Sequence, residues 1–128
     1  MTIVDTDVLV DCLRGTGPAK AWLQQLEKDP FAIPAVVAME LVMGCRDRED
    51  LERVQKFLGA FAIVWPEAAE FEAAYNLLLA HRLSSGLNIP DCLISAMALK
   101  REARLYTFNF KHSQAVSGLD VQQPYARL

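Results

Sequence analysis

A chain of 128 residues, 52% of them hydrophobic, is one domain by length and can bury a core without disulfide staples. The net charge of −3 and pI of about 5.3 exclude a broadly basic surface that grips nucleic acid by phosphate neutralisation alone, so such a partner would need bound cations or a local Lys/Arg cluster. Cys12, Cys45 and Cys92 form no CxxC pair, no apolar run reaches the ~18 residues of a membrane span and the start has no basic leader, so neither a zinc site nor a membrane span is expected and a reducing, cytoplasmic setting is.

Thr2-Ile3-Val4 opens the chain with β-branched residues, as a short buried strand does, and Asp5 ends that run. Thr6 and Asp7 each carry a short side-chain oxygen that can cap a helix. Val8, Leu9, Cys12 and Leu13 follow at helical spacing as far as Gly15. A carboxylate thus falls where a buried strand hands over to a helix. In open parallel α/β sheets that edge binds ligands. An Asp that merely caps the helix would read the same way. Residues 19–28 predict a second helix with Trp22, Leu23 and Leu26 inward, broken at Asp29-Pro30. Phe31-Ala32-Ile33 is the next strand, and Pro34 suits the first position of a third helix.

Residues 30–45 are apolar on every side, with Glu40 the one charged side chain between Asp29 and Arg46. Such a helix is expected to be buried. A lone buried carboxylate is costly unless paired, protonated or metal-bound, and the alternative is a Glu that reaches solvent through a packing gap. Residues 46–58 make a charged helix with Leu51, Val54, Phe57 and Leu58 inward, closed by Gly59. Residues 61–65 read as a buried strand stopped by Pro66. Residues 67–83 predict a long amphipathic helix with Phe71, Ala74, Tyr75, Leu78, Leu79 and Leu83 inward. His81 and Arg82 suit its C-terminal dipole. Ser84-Ser85-Gly86 reads as a loop.

Ile89-Pro90-Asp91 opens a core helix that runs to about residue 103. Asp91 is the only charge between Arg82 and Lys100, and as a first-turn acid it also suits the helix dipole. Residues 105–108 predict a strand, 110–115 a short element and 119–121 a last edge strand; the tail carries no signal. Strands and helices alternate throughout. That argues for an α/β domain spanning 1–128, with a mainly parallel sheet of about five short strands covered by helices on both faces.

Asp5, Glu40 and Asp91 share one oddity: each is an acid set into an apolar segment. Three in one small domain suggest a common destination. Clustered carboxylates repel one another and raise each other's pKa, so a cluster signals either a hard cation or a proton-sharing pair. Gly15-Thr16-Gly17-Pro18 lacks the Lys and Ser/Thr of a phosphate-binding P-loop.

Four stretches in order resemble the PIN-domain ribonucleases, most closely the VapC-type toxins of VapBC toxin–antitoxin pairs. They are Ile3-Val4-Asp5-Thr6-Asp7-Val8-Leu9-Val10-Asp11, Ala38-Met39-Glu40-Leu41-Val42-Met43-Gly44, Ile89-Pro90-Asp91-Cys92-Leu93-Ile94-Ser95-Ala96-Met97-Ala98 and Leu105-Tyr106-Thr107-Phe108-Asn109-Phe110-Lys111-His112. The resemblance implies a three-layer PIN-like sandwich. It implies catalytic, metal-binding acids at Asp5, Glu40 and Asp91 for Mg²⁺ or Mn²⁺, with Thr6, Asp7, Thr107, Asn109 and His112 beside the metal or the substrate. The family's usual fourth acid is missing, since its segment offers Asn109 and His112 instead. One or two ions would polarise a scissile phosphate of RNA, often tRNA or rRNA, and lower the pKa of the attacking water. Products with a 5′-phosphate and a 3′-hydroxyl, a VapB-type antitoxin partner and a homodimer are implied as well.

Three other readings stay open at this point. The fold could be catalytically weak and serve to bind protein or RNA. Asp5-Thr6-Asp7-Val8 matches the start of haloacid-dehalogenase-like phosphatases, but no acidic pair follows residues 105–108. A phospho-receiver would need an Asp after a mid-chain strand, where Pro66-Glu67 stands.

Overall fold

The β-branched start does form a strand, and it lies at the middle of the sheet. A computed structural model describes residues 1–28 and 30–127. In chain order the elements are β1 (Thr2–Val4), α1 (Thr6–Arg14), α2 (Gly17–Leu26), β2 (Phe31–Pro34), α3 (Ala35–Met43), α4 (Arg48–Leu58), β3 (Ile63–Val64), α5 (Ala68–Ser85), α6 (Ile89–Lys100), β4 (Arg104–Tyr106), α7 (Phe110–Ser113) and β5 (Val121–Gln122). The strands run β3-β2-β1-β4-β5, and every neighbouring pair is parallel. Ile3 is flanked by Ala32 and Leu105, all three buried.

Connections from β1 step outward in one direction through β2 to β3; the chain then crosses to β4 and continues the other way to β5. By the right-handed rule for parallel crossovers, this order assigns α1–α4 to one face and α5–α7 to the other. The reversal lies between β1 and β4. The crevice beyond their C-terminal ends is the topological switch point, where open α/β sheets bind ligands. The expected alternation of strands and helices is thus realised as a five-stranded parallel sheet between helical layers.

Several expectations need correction. Residues 30–45 are not buried all round: Val37, Ala38 and Leu41 are buried, whereas Met39 is 63% and Met43 84% exposed. Helix α3 packs against α1, α4 and α6 and against β2 and β3, and Met39 and Met43 stay outside these contacts. Pro34 ends β2 and serves as N-cap of α3 rather than its first residue. Strand β3 holds two half-buried residues, because a sheet edge has a neighbour on one side only, and Trp65 after it is exposed. Trp22 is half-buried, edge-on to Tyr106 at 5.2 Å.

The largest reversal concerns α5. Phe71, Tyr75, Leu79 and Leu83 point outward, while Ala74 and Glu70 are buried. Small Ala73 and Ala74 let α5 approach α6, and the bulky residues repeat on the opposite stripe. The helix also runs through Ser84 and Ser85, and ends at Gly86, whose φ of 69° suits a residue without Cβ. Helix α6 stops at Lys100, ahead of Glu102 with its φ of 51°. Helix α2 starts at Gly17 and ends at Leu26; the expected break at Asp29 lies outside the described residues. The last elements are shorter or shifted: β4 ends at Tyr106, α7 at Ser113, and the edge strand is Val121–Gln122.

Glu70 owes its burial to Arg101. The guanidinium donates from Nε and Nη2 to the two carboxylate oxygens at 2.7 and 2.8 Å, and from Nη2 to the Trp65 carbonyl at 3.0 Å. This ties the start of α5 to the end of α6. The Arg101 hydrogen bonds hold the Glu70 carboxyl below its usual range. Its stabilising contribution is therefore complete above the ordinary Glu pKa of 4.5 and is lost as pH falls through the lower folded value. Arg101→Met, which strands a buried carboxylate, should cost about 3 kcal/mol in urea unfolding at pH 7. The gap between the two proteins should narrow below pH 4, and a gap independent of pH would show that the ion pair is not its source.

Candidate active site

Asp5 follows β1 at the switch point and caps α1 itself, one of the two readings open for a strand-end Asp, so Thr6 and Asp7 do not take that role. Its Oδ1 accepts from the Thr6 amide at 2.7 Å. Its Oδ2 accepts from the Thr107 hydroxyl at 2.7 Å. Thr107 stands just past β4, and its side chain is wholly buried. The same hydroxyl oxygen accepts from the Asn109 amide at 3.0 Å, so it is used as donor and as acceptor. Neighbouring parallel strands thus bring residues 5 and 107 together at one sheet edge.

Asp91 arrives from the other helical layer. Helix α6 leads into the start of β4, so the beginning of α6 lies at the C-terminal edge of the sheet. Asn88 caps it: Asn88 Oδ1 accepts from the Asp91 amide at 3.0 Å, and Asp91 Oδ2 accepts from the Asn88 amide at 3.3 Å. Asp91 therefore fills the helix-capping role as well, and its carboxylate lines a small cleft with Asp5, Ser95 and His112. His112 Nδ1 is 3.4 Å from Asp91 Oδ2 and 3.0 Å from Asn109 Nδ2. A neutral ring can accept from the amide through Nδ1, whereas a protonated ring can donate to the carboxylate.

Glu40 joins from α3, where Oε1 accepts from the Thr6 hydroxyl at 2.7 Å. It is half-exposed and lines a separate groove of about 490 Å³ between α1, α3 and α4, with Arg14, Arg46 and Arg53. Asp5 and Asp91 thus share one cleft, and Glu40 is linked to Asp5 through Thr6. Among the described residues, no group of three or more His, Cys, Asp or Glu side chains stands ready to hold a metal ion. The donor chemistry fits a hard cation nonetheless, because all three acids present carboxylate oxygens and none is paired with Lys or Arg among the described residues.

Burial raises the Asp5 pKa, and the Asp91 charge adds to this against the two hydrogen bonds that lower it. Asp7 has the same difficulty. Its Oδ2 accepts from the Phe108 amide at 3.2 Å, while Oδ1 is buried with no hydrogen-bond partner among the described residues. Burial first, then the Asp5 charge, pushes Asp7 from 3.8 to about 6.

Sequence reasoning missed the C-terminal contribution. Tyr125 Oη donates to Asp11 Oδ2 at 2.8 Å, and Arg127 donates from Nε to the same oxygen at 3.1 Å. An aromatic and an arginine separated by one residue carry no periodic signal, so nothing in the tail drew attention. Because α5 runs on to Ser85, Arg82 lies in its last turn, as the dipole-compensating reading requires, whereas His81 falls just before that turn.

The folded protein holds the Asp7 proton more tightly than the unfolded chain does. Stability is therefore lost as pH rises from the unfolded value of 3.8 towards about 6, and the penalty is constant above that. In EDTA, the urea midpoint of wild type minus that of Asp7→Asn should fall across this window; parallel curves would show that Asp7 ionises normally.

The PIN domain family model matches residues 2–116. Ribonuclease VapC10 of Mycobacterium tuberculosis is 34% identical over 114 residues, covering 88% of this chain and 85% of that one. Ribonuclease VapC19 of the same organism is 34% identical over 130 residues, covering 98% and 100%. Among solved structures, a toxin–antitoxin complex from Klebsiella pneumoniae matches with TM-score 0.76 and 29% identity over 98% of each chain. VapBC2 from Rickettsia felis, bound to a DNA fragment from its promoter, matches in fold with TM-score 0.80 and 22% identity, over 95% of this chain and 97% of that one. With a family model covering most of its length and near-full-length VapC relatives, this chain belongs to the PIN-domain family, among the VapC-type ribonucleases.

Proposed function

We propose that this protein is a Mg²⁺- or Mn²⁺-dependent endoribonuclease, restrained in the cytoplasm by a VapB-type antitoxin. The observation that carries the reading is the meeting of Asp5 and Asp91 in one cleft at the switch point, with the buried Thr107 hydroxyl committed to Asp5. Asp5, Asp91 and Glu40 would hold the cation. When bound, such an ion supplies Lewis acidity towards a scissile phosphate and makes water acidic enough to attack near neutral pH.

The chain's own groups do the rest. Thr6 and Thr107 fix the carboxylates of Glu40 and Asp5. His112 stands beside Asp91 and Asn109 beside His112, in the segment where the family's fourth acid would come, and both can steer a phosphate or a water by hydrogen bonds. Because burial favours the protonated Asp5, cation binding competes with a proton and weakens as pH falls. The arginine-lined groove that reaches Glu40 is where we would seat the antitoxin. A binding-only PIN fold is favoured by one observation: three acids do not gather into a ready ligand set among the described residues.

Asp5→Asn separates these readings. Asn also caps helices well, so the fold should survive, while the charge that attracts the cation is lost. Wild type should cleave total RNA with Mn²⁺ or Mg²⁺ and stop with EDTA, and Asp5→Asn should be inactive with an unchanged melting temperature. Cleavage in EDTA, or by Asp5→Asn, would end the metal mechanism, and inactivity of both proteins would favour binding alone.

We also propose a homodimer built on α5. Phe71, Tyr75, Leu79 and Leu83 form a continuous outward stripe beside exposed Ile89. An antiparallel pair of such helices would oppose Phe71 to Leu83 and Tyr75 to Leu79, with Glu72 near Arg82 at the flanks. Light scattering at micromolar concentration should give a dimer for wild type and a monomer for Leu79→Glu. A wild-type monomer would count against this face.

A further inference from the structure

We infer that Tyr125 and Arg127 are positioning residues that clasp the turn carrying Thr107 and Asn109 against α1. The inference rests on the ribonuclease reading of the site, but its geometry is independent of any metal.

Residues 107–109 do three different things. Thr107 donates to Asp5, Asn109 contacts His112, and Phe108 between them donates its amide to Asp7. The Phe108 side chain offers no polar group, yet the C-terminal segment is built around it. The Arg127 guanidinium stacks 3.8 Å from the Phe108 ring centroid, and the Tyr125 ring meets the same ring edge-on at 5.1 Å. Both residues also grip α1. Arg127 reaches the Asp7 carbonyl from Nη2 at 3.4 Å and Asp11 Oδ2 from Nε at 3.1 Å; Tyr125 Oη reaches Asp11 Oδ2 at 2.8 Å.

One carboxylate of α1 therefore anchors two side chains of the tail, and those two side chains hold the residue between Thr107 and Asn109. The Arg127 plane suits this task, because a guanidinium can lie flat on a ring while donating in its own plane to an acid. A Lys there keeps the charge but cannot do both. If Phe108 is free to turn, the backbone that fixes Thr107 Oγ1 on Asp5 and Asn109 beside His112 loosens with it. The acids remain, but their orientation does not.

The experiment uses the full chain with Arg127→Met, which keeps the stem and removes the charged plane, together with Arg127→Lys and the milder Tyr125→Phe. On an RNA substrate with Mn²⁺, Arg127→Met should lose about 10- to 100-fold in kcat. KM should stay unchanged, as expected for a group that orients rather than binds. Arg127→Lys should recover part of that loss, and Tyr125→Phe should fall between Arg127→Met and wild type. Hydrogen exchange followed by mass spectrometry should show faster exchange in the peptide covering 107–109 for Arg127→Met, with β1 unchanged.

Unchanged kcat in all three variants would overturn the inference. So would a kcat loss matched by loss of folded protein in thermal melts, or a loss borne by KM. If wild type cleaves no RNA, the ribonuclease reading fails by itself, and exchange at 107–109 still decides whether the clasp exists.

Discussion

The hydrogen bond from the Thr107 hydroxyl to Asp5 is the contact on which the rest of the site depends. A carboxylate at the end of a central strand sits among buried apolar groups and faces a second acid. Without donors aimed at it, such a group would take up a proton or turn away. The α1 amide and the Thr107 hydroxyl supply those donors from two sides. Both arise from the sheet itself: β1 and β4 are adjacent and parallel, so the residue after each strand emerges at the same edge. The strand order places the reactive edge before any functional side chain is chosen.

The protein treats its buried acids in two opposite ways. Glu70 is enclosed by two hydrogen bonds from Arg101 and has its charge balanced. Asp5 and Asp7 are left with burial and mutual repulsion that their hydrogen bonds only partly offset, and Asp7 keeps one oxygen without a partner among the described residues. A domain able to satisfy Glu70 so completely is not short of ways to do so elsewhere. Local dissatisfaction concentrated at one sheet edge is the pattern expected of a functional site, where stability is given up for chemistry.

Asp5, Glu40 and Asp91 could be picked out from sequence because each breaks an apolar run, and a charge in such a run must have a reason. The α5 stripe could not be oriented the same way. Spacing shows that Phe71, Tyr75, Leu79 and Leu83 share a face, but it does not show whether the core lies under that face or under the alanines opposite. The same ambiguity misled the reading of α3, whose uniform apolarity concealed an uncovered side at Met39 and Met43. Short strands such as β3 were overextended because apolar residues continue past the point where an edge strand has a partner. Tyr125 and Arg127 were invisible for a different reason. Their meaning lies in what they meet across the fold, at Asp11 and Phe108, and no local rule reports that.

The span of the Thr107–Asp5 contact has a consequence for how the protein comes into being. The two residues are 102 positions apart, and β1 cannot complete its ladder until β4 exists to pair with it. During synthesis the strand and its acid emerge first, and the residue that orients them follows 102 positions later. Long-range closures of this kind come late in folding, since loop entropy must be overcome before the contact forms. A growing chain therefore carries Asp5 without the partner that aims it until residue 107 has been made. The cleft is assembled only once β4 and the residue beyond it have joined the sheet, so until then β1 presents an acid held by its own helix alone.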